Sequence, residues 1–265
     1  MKTDTLMEDF LFDLHGYTLI PGAIDADSLQ AMNGWVDTLP PLKDGDWFGH
    51  IKAHTYGGTD GMNLQFIFDG GEIFERLIDN PAWIGLVRRY LGEVNEPYIN
   101  EEFLNVRGQG GYIGVHSGGW RIDGRLRAGG VAGHWCTQFL SVIVALNDIG
   151  PGDGPTVIIP GSHKSAFAHP QQADNAGISK GAGDTVVGAE EVYLKAGDAV
   201  LFTDMLIHGS ATRTNAGNRR TIVLRYLPAT YAHRWRYVPS PELVARLTPE
   251  RRKIIQPVIP VVKPD

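Results

Sequence analysis

The chain reads as a mainly β protein with flanking helices, its strands pairing antiparallel in a sandwich or barrel. Two observations predict this. After Pro97 the sequence breaks into short apolar or alternating runs, EEFLNV, GYIGV, FLSVIVAL, TVIIP, EVYLKAGDAVLF and TIVLRYLPA, separated by Gly, Pro, Asn and Asp. No helical pattern of about ten residues intervenes between them, so neighbouring strands connect through turns rather than crossover helices. A chain of 265 residues can bury a substantial core, and all-β architectures of this size commonly form one domain. We therefore expect a single domain over 1–265, with a helix-rich part at 1–97 packed on a β core at 98–240.

Two helices are predicted before the strands begin. Leu29, Met32, Val36 and Leu39 recur near the 3.6-residue period behind Asp25 or Asp27 as cap, and Pro40 and Pro41 stop the run. Asn80 caps a second helix with Pro81 in its first position, running through Trp83, Leu86, Val87, Tyr90 and Leu91 to Gly92 as a left-handed terminator. Within the strand-rich half, the least regular segment, Lys164 to Gly188, reads as a mobile insertion over one barrel end. With the loop after His116 it is placed to form a lid.

Composition narrows the function classes. A net charge of −6 and 43% hydrophobic residues indicate neither disorder nor a surface built to coat a nucleic-acid polymer, so a small-molecule partner is expected. A single cysteine, Cys136, leaves no internal disulfide and no multi-cysteine zinc site. The opening MKTDTLMEDF has no signal-peptide pattern and no apolar run nears membrane-spanning length. We expect no membrane partner and a cytoplasmic location, and the sequence carries no signal for oligomeric state.

The chemistry concentrates in GGYIGVHSGGW at 110–120 and GDAVLFTDMLIHGSATRTNAGNRRTIVLRY at 197–226. Neutral imidazoles suit Fe(II), and two histidines with one carboxylate on one face of the ion leave positions for a bidentate cosubstrate and dioxygen. His116 and His208 would supply the nitrogens. Arg219, eleven residues past His208 and after an NAGN turn, can sit on the next strand and grip a carboxylate with its rigid fork. Its neighbour Arg220 competes for this role, but adjacent strand residues face opposite ways.

With FLFDLHGYTLIPGAIDADSL at the start, ALNDIGPGDGPTVIIPGSHK in the centre and GDAVLFTDMLIHGS with Arg219, the chain resembles the phytanoyl-CoA dioxygenase family of Fe(II)/2-oxoglutarate oxygenases over nearly its whole length. The resemblance implies a double-stranded β-helix (jelly-roll, cupin-like) core. It also implies His116 and His208 as iron ligands, Arg219 and Ser210 against 2-oxoglutarate, and O2 as oxidant. Contacts from Leu104, Asn105 or the strand around Ile143 are not assigned, because the spacing there drifts.

One departure stands out. The family pattern is His, any residue, then Asp or Glu, whereas this chain has His116, Ser117, Gly118. Similar enzymes that halogenate unactivated carbon have Gly or Ala there, and a chloride fills the vacated iron position. The favoured expectation is therefore chlorination of an aliphatic C–H bond. The alternatives are hydroxylation, with water or another acid such as Asp123 on the iron, and a non-catalytic jelly-roll that binds a metabolite. Trp120, His134 and Trp135 are candidate pocket walls, with plain core filling as the alternative. Arg121, Arg125 and Arg127 would favour an anionic substrate such as a nucleotide, phosphate or carboxylate, with a solvated charged loop as the alternative. His163, in the PGSH corner, and Cys136 are read as structural.

Overall fold

A computed structural model describes residues 3–92, 96–117, 137, 139–165, 167–172, 178–228 and 238–256. Helix α1 (Thr3–His15) leads into strand β1 (Tyr17–Ile20), and α2 (Ala26–Asp37) follows. Of the two candidate caps for α2, Asp25 is the one used: its carboxylate accepts from Ser28 N–H at 2.8 Å. Met32 and Val36 point into the core. Strands β2 (Trp47–Phe48), β3 (Ile51–His54) and β4 (Met62–Gln65) form a meander, followed by α3 (Glu72–Glu75) and α4 (Ile84–Leu91).

Helix α4 starts later than the Asn80-Pro81 signature predicts. Asn80 accepts from Ala82 N–H at 2.9 Å, but Trp83 (φ −130°, ψ −19°) interrupts the helical run. Its fully buried indole donates to the Tyr226 hydroxyl at 2.9 Å. A buried tertiary contact therefore sits where the first regular turn was expected. Gly92 ends the helix at the expected residue, but at φ 95° and ψ 130° it is outside the left-handed helical conformation expected of it.

The remaining strands are β5 (Pro97–Arg107), β6 (Ile113–His116), β7 (Leu140–Ala145), β8 (Thr156–Ile159), β9 (Glu190–Val192), β10 (Ala199–Thr203), β11 (Ile207–Ser210) and β12 (Arg219–Pro228). Helices α5 (Pro241–Arg246) and α6 (Pro249–Ile255) follow, each with Pro in its first turn and a Ser or Thr cap. The strands form an eight-stranded sheet, β1-β10-β7-β12-β5-β4-β3-β2, and a four-stranded sheet, β6-β11-β8-β9. Every pairing within them is antiparallel. This is the jelly-roll arrangement. Strands β1 to β4 show that residues 1–97 contribute edge strands to the large sheet as well as helices.

Period-two alternation along β12 separates core from cavity. Ile222, Leu224 and Tyr226 join the main apolar cluster with Leu243 of α5, Ile254 and Ile255 of α6, and Met32, Val36 and Val87. Arg219, Thr221, Val223 and Arg225 face the space between the sheets. The outer face of the small sheet is covered differently. Val186 and Ala189 pack on Val115, Val157 and Ile207, and Ser179 N–H donates to Val115 O at 2.9 Å. The described part of the Lys164–Gly188 insertion thus backs the small sheet, which corrects its expected place over a barrel end. Val115 on β6 and Val157 on β8, fully buried here, would otherwise meet water. Among the described residues, no helix is long and apolar enough to cross a membrane.

Candidate active site

His116 and His208 lie directly opposite each other across the β6–β11 pair. Their ring centroids are 4.3 Å apart, with planes inclined by 56°. Close approach of these strands depends on Gly209, where a Cβ would lie 2.8 Å from Ile113 O, and a Cβ at Gly114 would lie 2.4 Å from Ser179 O on the segment that backs β6. The register slips between His208 and Ser210. Such bulges are common where a strand re-aims functional side chains.

Both imidazoles are held the same way. His116 Nδ1–H donates to Gly114 O at 2.9 Å and His208 Nδ1–H to Leu206 O at 2.7 Å. A carbonyl can only accept, so in each neutral ring the lone pair resides on Nε2. Burial, then the neighbouring His208, pushes the His116 imidazole down to about 3. When neutral, each ring, with its Nδ1–H fixed on a backbone carbonyl, offers Nε2 to a late first-row dication.

The histidines line an open cavity of ≈ 490 Å³ between the sheets. Its far end is cationic. Arg219 and Arg107 are directly paired across β12 and β5, and only 3% and 1% of their surfaces are exposed. Arg107 donates to Ser210 Oγ at 2.5 Å and to Asp60 O at 3.1 Å. Arg219 donates to Thr156 Oγ1 at 3.1 Å. Neither guanidinium contacts a carboxylate among the described residues, and Arg219 Nε is buried without a hydrogen-bond partner. Asn105 Oδ1 and Thr221 Oγ1 beside them are likewise unpartnered. Burial, then Arg107 and Arg213, pushes Arg219 well below the ordinary arginine value, and burial takes Arg107 down to about 10. Like charges directly opposite in a sheet are unfavourable, so this end is built for an anion.

The near end is self-compensating. Arg225 pairs with Glu101 at 2.7 Å, and Glu101 also accepts from the Tyr56 hydroxyl. Asp204, in the turn between β10 and β11, is buried; its Oδ1 lies 3.6 Å from His208 Nε2 and accepts from Ser141 Oγ at 3.0 Å. Arg225, His208 and His116 together hold its carboxyl below the usual aspartate value despite burial. A second cavity, lined by Lys52, His54, Tyr56, Gln65 and Phe66, adjoins Glu101.

The structure brings His116, His208, Ser210 and Arg219 around one cavity. Arg220 faces away, pairing with Asp37 of α2 at 2.5 Å. His163 is buried, its Nε2–H donating to Asp13 O at 3.1 Å, as a structural corner requires. Gly118, Trp120, Arg121, Asp123, Arg125, Arg127, His134, Trp135 and Cys136 lie outside the described residues. Sequence reasoning missed Arg107, Thr156, Asp204 and Arg225 and left Asn105 unassigned. The signal available for Arg107 was period two: Glu101, Phe103, Asn105 and Arg107 share one face of β5.

A family model described as phytanoyl-CoA dioxygenase matches residues 12–221. The structure of HygX from Streptomyces hygroscopicus with nickel, 2-oxoglutarate and hygromycin B bound is similar with a TM-score of 0.67 and 19% identity, over 88% of this chain and 89% of that one. The non-haem α-ketoglutarate-dependent epimerase SnoN from nogalamycin biosynthesis is similar with a TM-score of 0.60 and 18% identity, over 85% of this chain and 84% of that one. At such identities these likenesses speak to the fold. Dioxygenase cdmD of Talaromyces verruculosus is 28% identical over 120 residues, 44% of this chain but 35% of that protein. With the family model spanning most of its length, the chain belongs to the phytanoyl-CoA dioxygenase family.

Proposed function

We propose that the chain is a non-haem Fe(II)/2-oxoglutarate-dependent oxygenase that hydroxylates an aliphatic C–H bond of a small metabolite. The observation that carries this is the pairing of two buried, carboxylate-free arginines, Arg107 and Arg219, at one end of the cavity that two Nδ1-anchored histidines line. His116 and His208 would hold the iron through Nε2. Arg219 and Arg107, with the Ser210 and Thr156 hydroxyls, would hold the distal carboxylate of 2-oxoglutarate by charge-assisted hydrogen bonds. The iron, when bound, supplies the dioxygen activation coupled to oxidative decarboxylation of the cosubstrate. Overall, R–H, O2 and 2-oxoglutarate become R–OH, succinate and CO2. HygX, solved with 2-oxoglutarate bound in a similar fold, supports this reading.

The protein's own work is placement and exclusion of water. Phe103, Ile143, Phe202 and Val223 form an apolar collar lining the cavity. The substrate approaches from the side of Tyr56, Glu101 and Arg225, since the opposite end is committed to the cosubstrate. An anionic substrate is expected from Arg121, Arg125 and Arg127. Replacing each with Ala should raise the Michaelis constant, and three unchanged constants would remove that expectation.

Gly118 supports a second outcome, chlorination, in which R–H, Cl⁻, O2 and 2-oxoglutarate become R–Cl, OH⁻, succinate and CO2. Hydroxylation is preferred on the likeness to a relative named as a dioxygenase, cdmD. Succinate formation from 2-oxoglutarate under Fe(II) and O2 tests the common chemistry. It should be abolished in His208→Ala; succinate formation at the wild-type rate in that variant would refute the reading. Mass spectrometry of the product, showing added oxygen or exchange of hydrogen for chlorine, separates the outcomes.

A further inference from the structure

We propose that the second cavity, beside the ion pair of Glu101 and Arg225, is the subsite for the substrate's remote end, and that this end is a carboxylate held by Lys52. This rests on the oxygenase reading above and names the substrate class for the same site.

Strand register carries the argument. On the inner face of the large sheet, Lys52 of β3 is paired with Gln65 of β4, Gln65 with Phe103 of β5, Phe103 with Val223 of β12 and Val223 with Ile143 of β7. Directly paired side chains share a face, so these five form one row. Its last three members line the cavity of the two histidines, and its first two line the second cavity. The row therefore runs from a cation, across an amide, to the apolar collar where an aliphatic carbon would react. Neighbouring strands lie about 4.8 Å apart, which puts Lys52 two spacings, or roughly 10 Å, from Phe103.

The chemistry of this open cavity of ≈ 490 Å³ fits an acid on an apolar spacer. Tyr56 and Phe66 supply ring walls, and Trp47 stacks on Phe66 with centroids 6.1 Å apart. Phe66 holds a left-handed backbone, φ 66° and ψ 42°, a costly conformation for a bulky residue and one that clusters at ligand sites. Most of the charge here is already spoken for. Glu101 pairs with Arg225 and accepts from the Tyr56 hydroxyl, and His54 pairs with Asp44. Burial pushes the Glu102 carboxyl well above the usual carboxylate range, which works against a charge there.

Two donors are left over. Lys52 Nζ lies 6.0 Å from the centre of the Trp47 ring and meets no carboxylate among the described residues. Asn100, 2% exposed, has an Nδ2 with no acceptor. One ammonium and one amide donor match the single charge and two oxygens of a carboxylate. At about 1.25 Å of advance per carbon–carbon bond, the distance to the collar is roughly eight bonds. The substrate class is thus a medium-length carboxylate oxidised far from its acid group.

The test uses the full chain with 2-oxoglutarate and a redox-inert dication, so that the arginine end is filled. Hexanoate, octanoate, decanoate, octanol and octylammonium are the probes, each titrated calorimetrically. Octanoate should bind more tightly than hexanoate and more tightly than octanol. Lys52→Gln should weaken octanoate about tenfold and leave octanol unchanged. Lys52→Glu should reject octanoate and gain octylammonium, a gain that a misfolded variant cannot show. No carboxylate binding by wild type, equal affinity for octanoate and octanol, or unchanged octanoate affinity in Lys52→Gln overturns the assignment. Titration of 2-oxoglutarate into wild type separates the two levels. Cosubstrate binding with octanoate affinity independent of Lys52 removes only the subsite, whereas no cosubstrate binding removes the oxygenase reading and the subsite with it.

Discussion

Replacing Arg219 with alanine should weaken 2-oxoglutarate binding by about two orders of magnitude. Removing one partner of a buried, hydrogen-bonded charge pair costs about 2–5 kcal/mol, and a middle value of about 3 kcal/mol corresponds to roughly 150-fold. Arg107 remains in the pocket, which argues against the upper end. In a thermal-shift assay with Fe(II) replaced by a redox-inert dication, cosubstrate at about 100 times the wild-type dissociation constant adds about 2.7 kcal/mol. That is a rise of about 5–10 °C for a domain of this size. A hundredfold weaker variant at the same concentration gains only about 0.4 kcal/mol, or about 1 °C. Truncation also removes the repulsion between Arg219 and Arg107, which the fold carries with no facing carboxylate, so the unliganded protein should lose less stability than a buried Arg→Ala change usually costs. Arg220→Ala is the control. It breaks the Asp37 contact on α2 and should leave the cosubstrate shift intact. A full shift in Arg219→Ala, or a lost one in Arg220→Ala, would refute the assignment of the inward arginine as anchor.

Other consequences follow from the same geometry. His116 has its imidazole held down at about 3, below the ordinary unfolded value of about 6.5, so the unfolded chain takes up a proton that the native metal-free site refuses. Stability should therefore fall as pH drops from about 6.5 toward 3, by at most about 1.4 kcal/mol per pH unit for this group. Urea unfolding across that window should show a shallower slope in His116→Gln, and an identical slope would count against a neutral His116. Tyr226→Phe leaves the buried Trp83 N–H without its acceptor and should cost about 1–3 kcal/mol with 2-oxoglutarate binding unchanged; loss of binding would show the outer core and the cavity to be coupled. Gly114→Ala places a Cβ 2.4 Å from Ser179 O. It should lower both the melting temperature and metal affinity by spreading β6 from its neighbours, and wild-type values for both would refute that strand-spacing argument.

Much of this was legible in the sequence, for identifiable reasons. His208 and Arg219 stand at the two ends of a turn between strands, a local arrangement in which eleven residues of spacing already limit where the second side chain can go. Period-two alternation allowed only one of Arg219 and Arg220 to face the cavity, and the structure places Arg219 there and Arg220 on the opposite face. What the sequence concealed depends on register between distant strands. Arg107 faces Arg219 only because β5 and β12 align residue for residue over this stretch, a pairing that joins positions 112 apart. Asp204 looked like a turn residue because Asp is common in turns, and only folding of β10 against β7 brings it to Ser141 and the histidines. The start of α4 was misread because Asn80-Pro81 is a genuine local signal, overruled by burial of Trp83 against Tyr226.

The registered faces of β5 and β12 also explain how one cavity can serve two ligands in a set orientation. Arg107 opposes Arg219, Asn105 opposes Thr221, Phe103 opposes Val223 and Glu101 opposes Arg225. The first pair is a double positive charge with no carboxylate in salt-bridge contact among the described residues, the second is polar, the third is apolar, and the last is an ion pair at 2.7 Å. A dicarboxylate entering this space gains most by placing one end against Arg107 and Arg219, because Arg225 is already neutralised by Glu101 and exchanging partners would strand a buried carboxylate. Its other end is then directed to the histidines. Swapping the ion pair, as in Glu101→Gln, should blur that preference by leaving Arg225 as a competing cation, and would show as cosubstrate binding that no longer loses two orders of magnitude when Arg219 is removed.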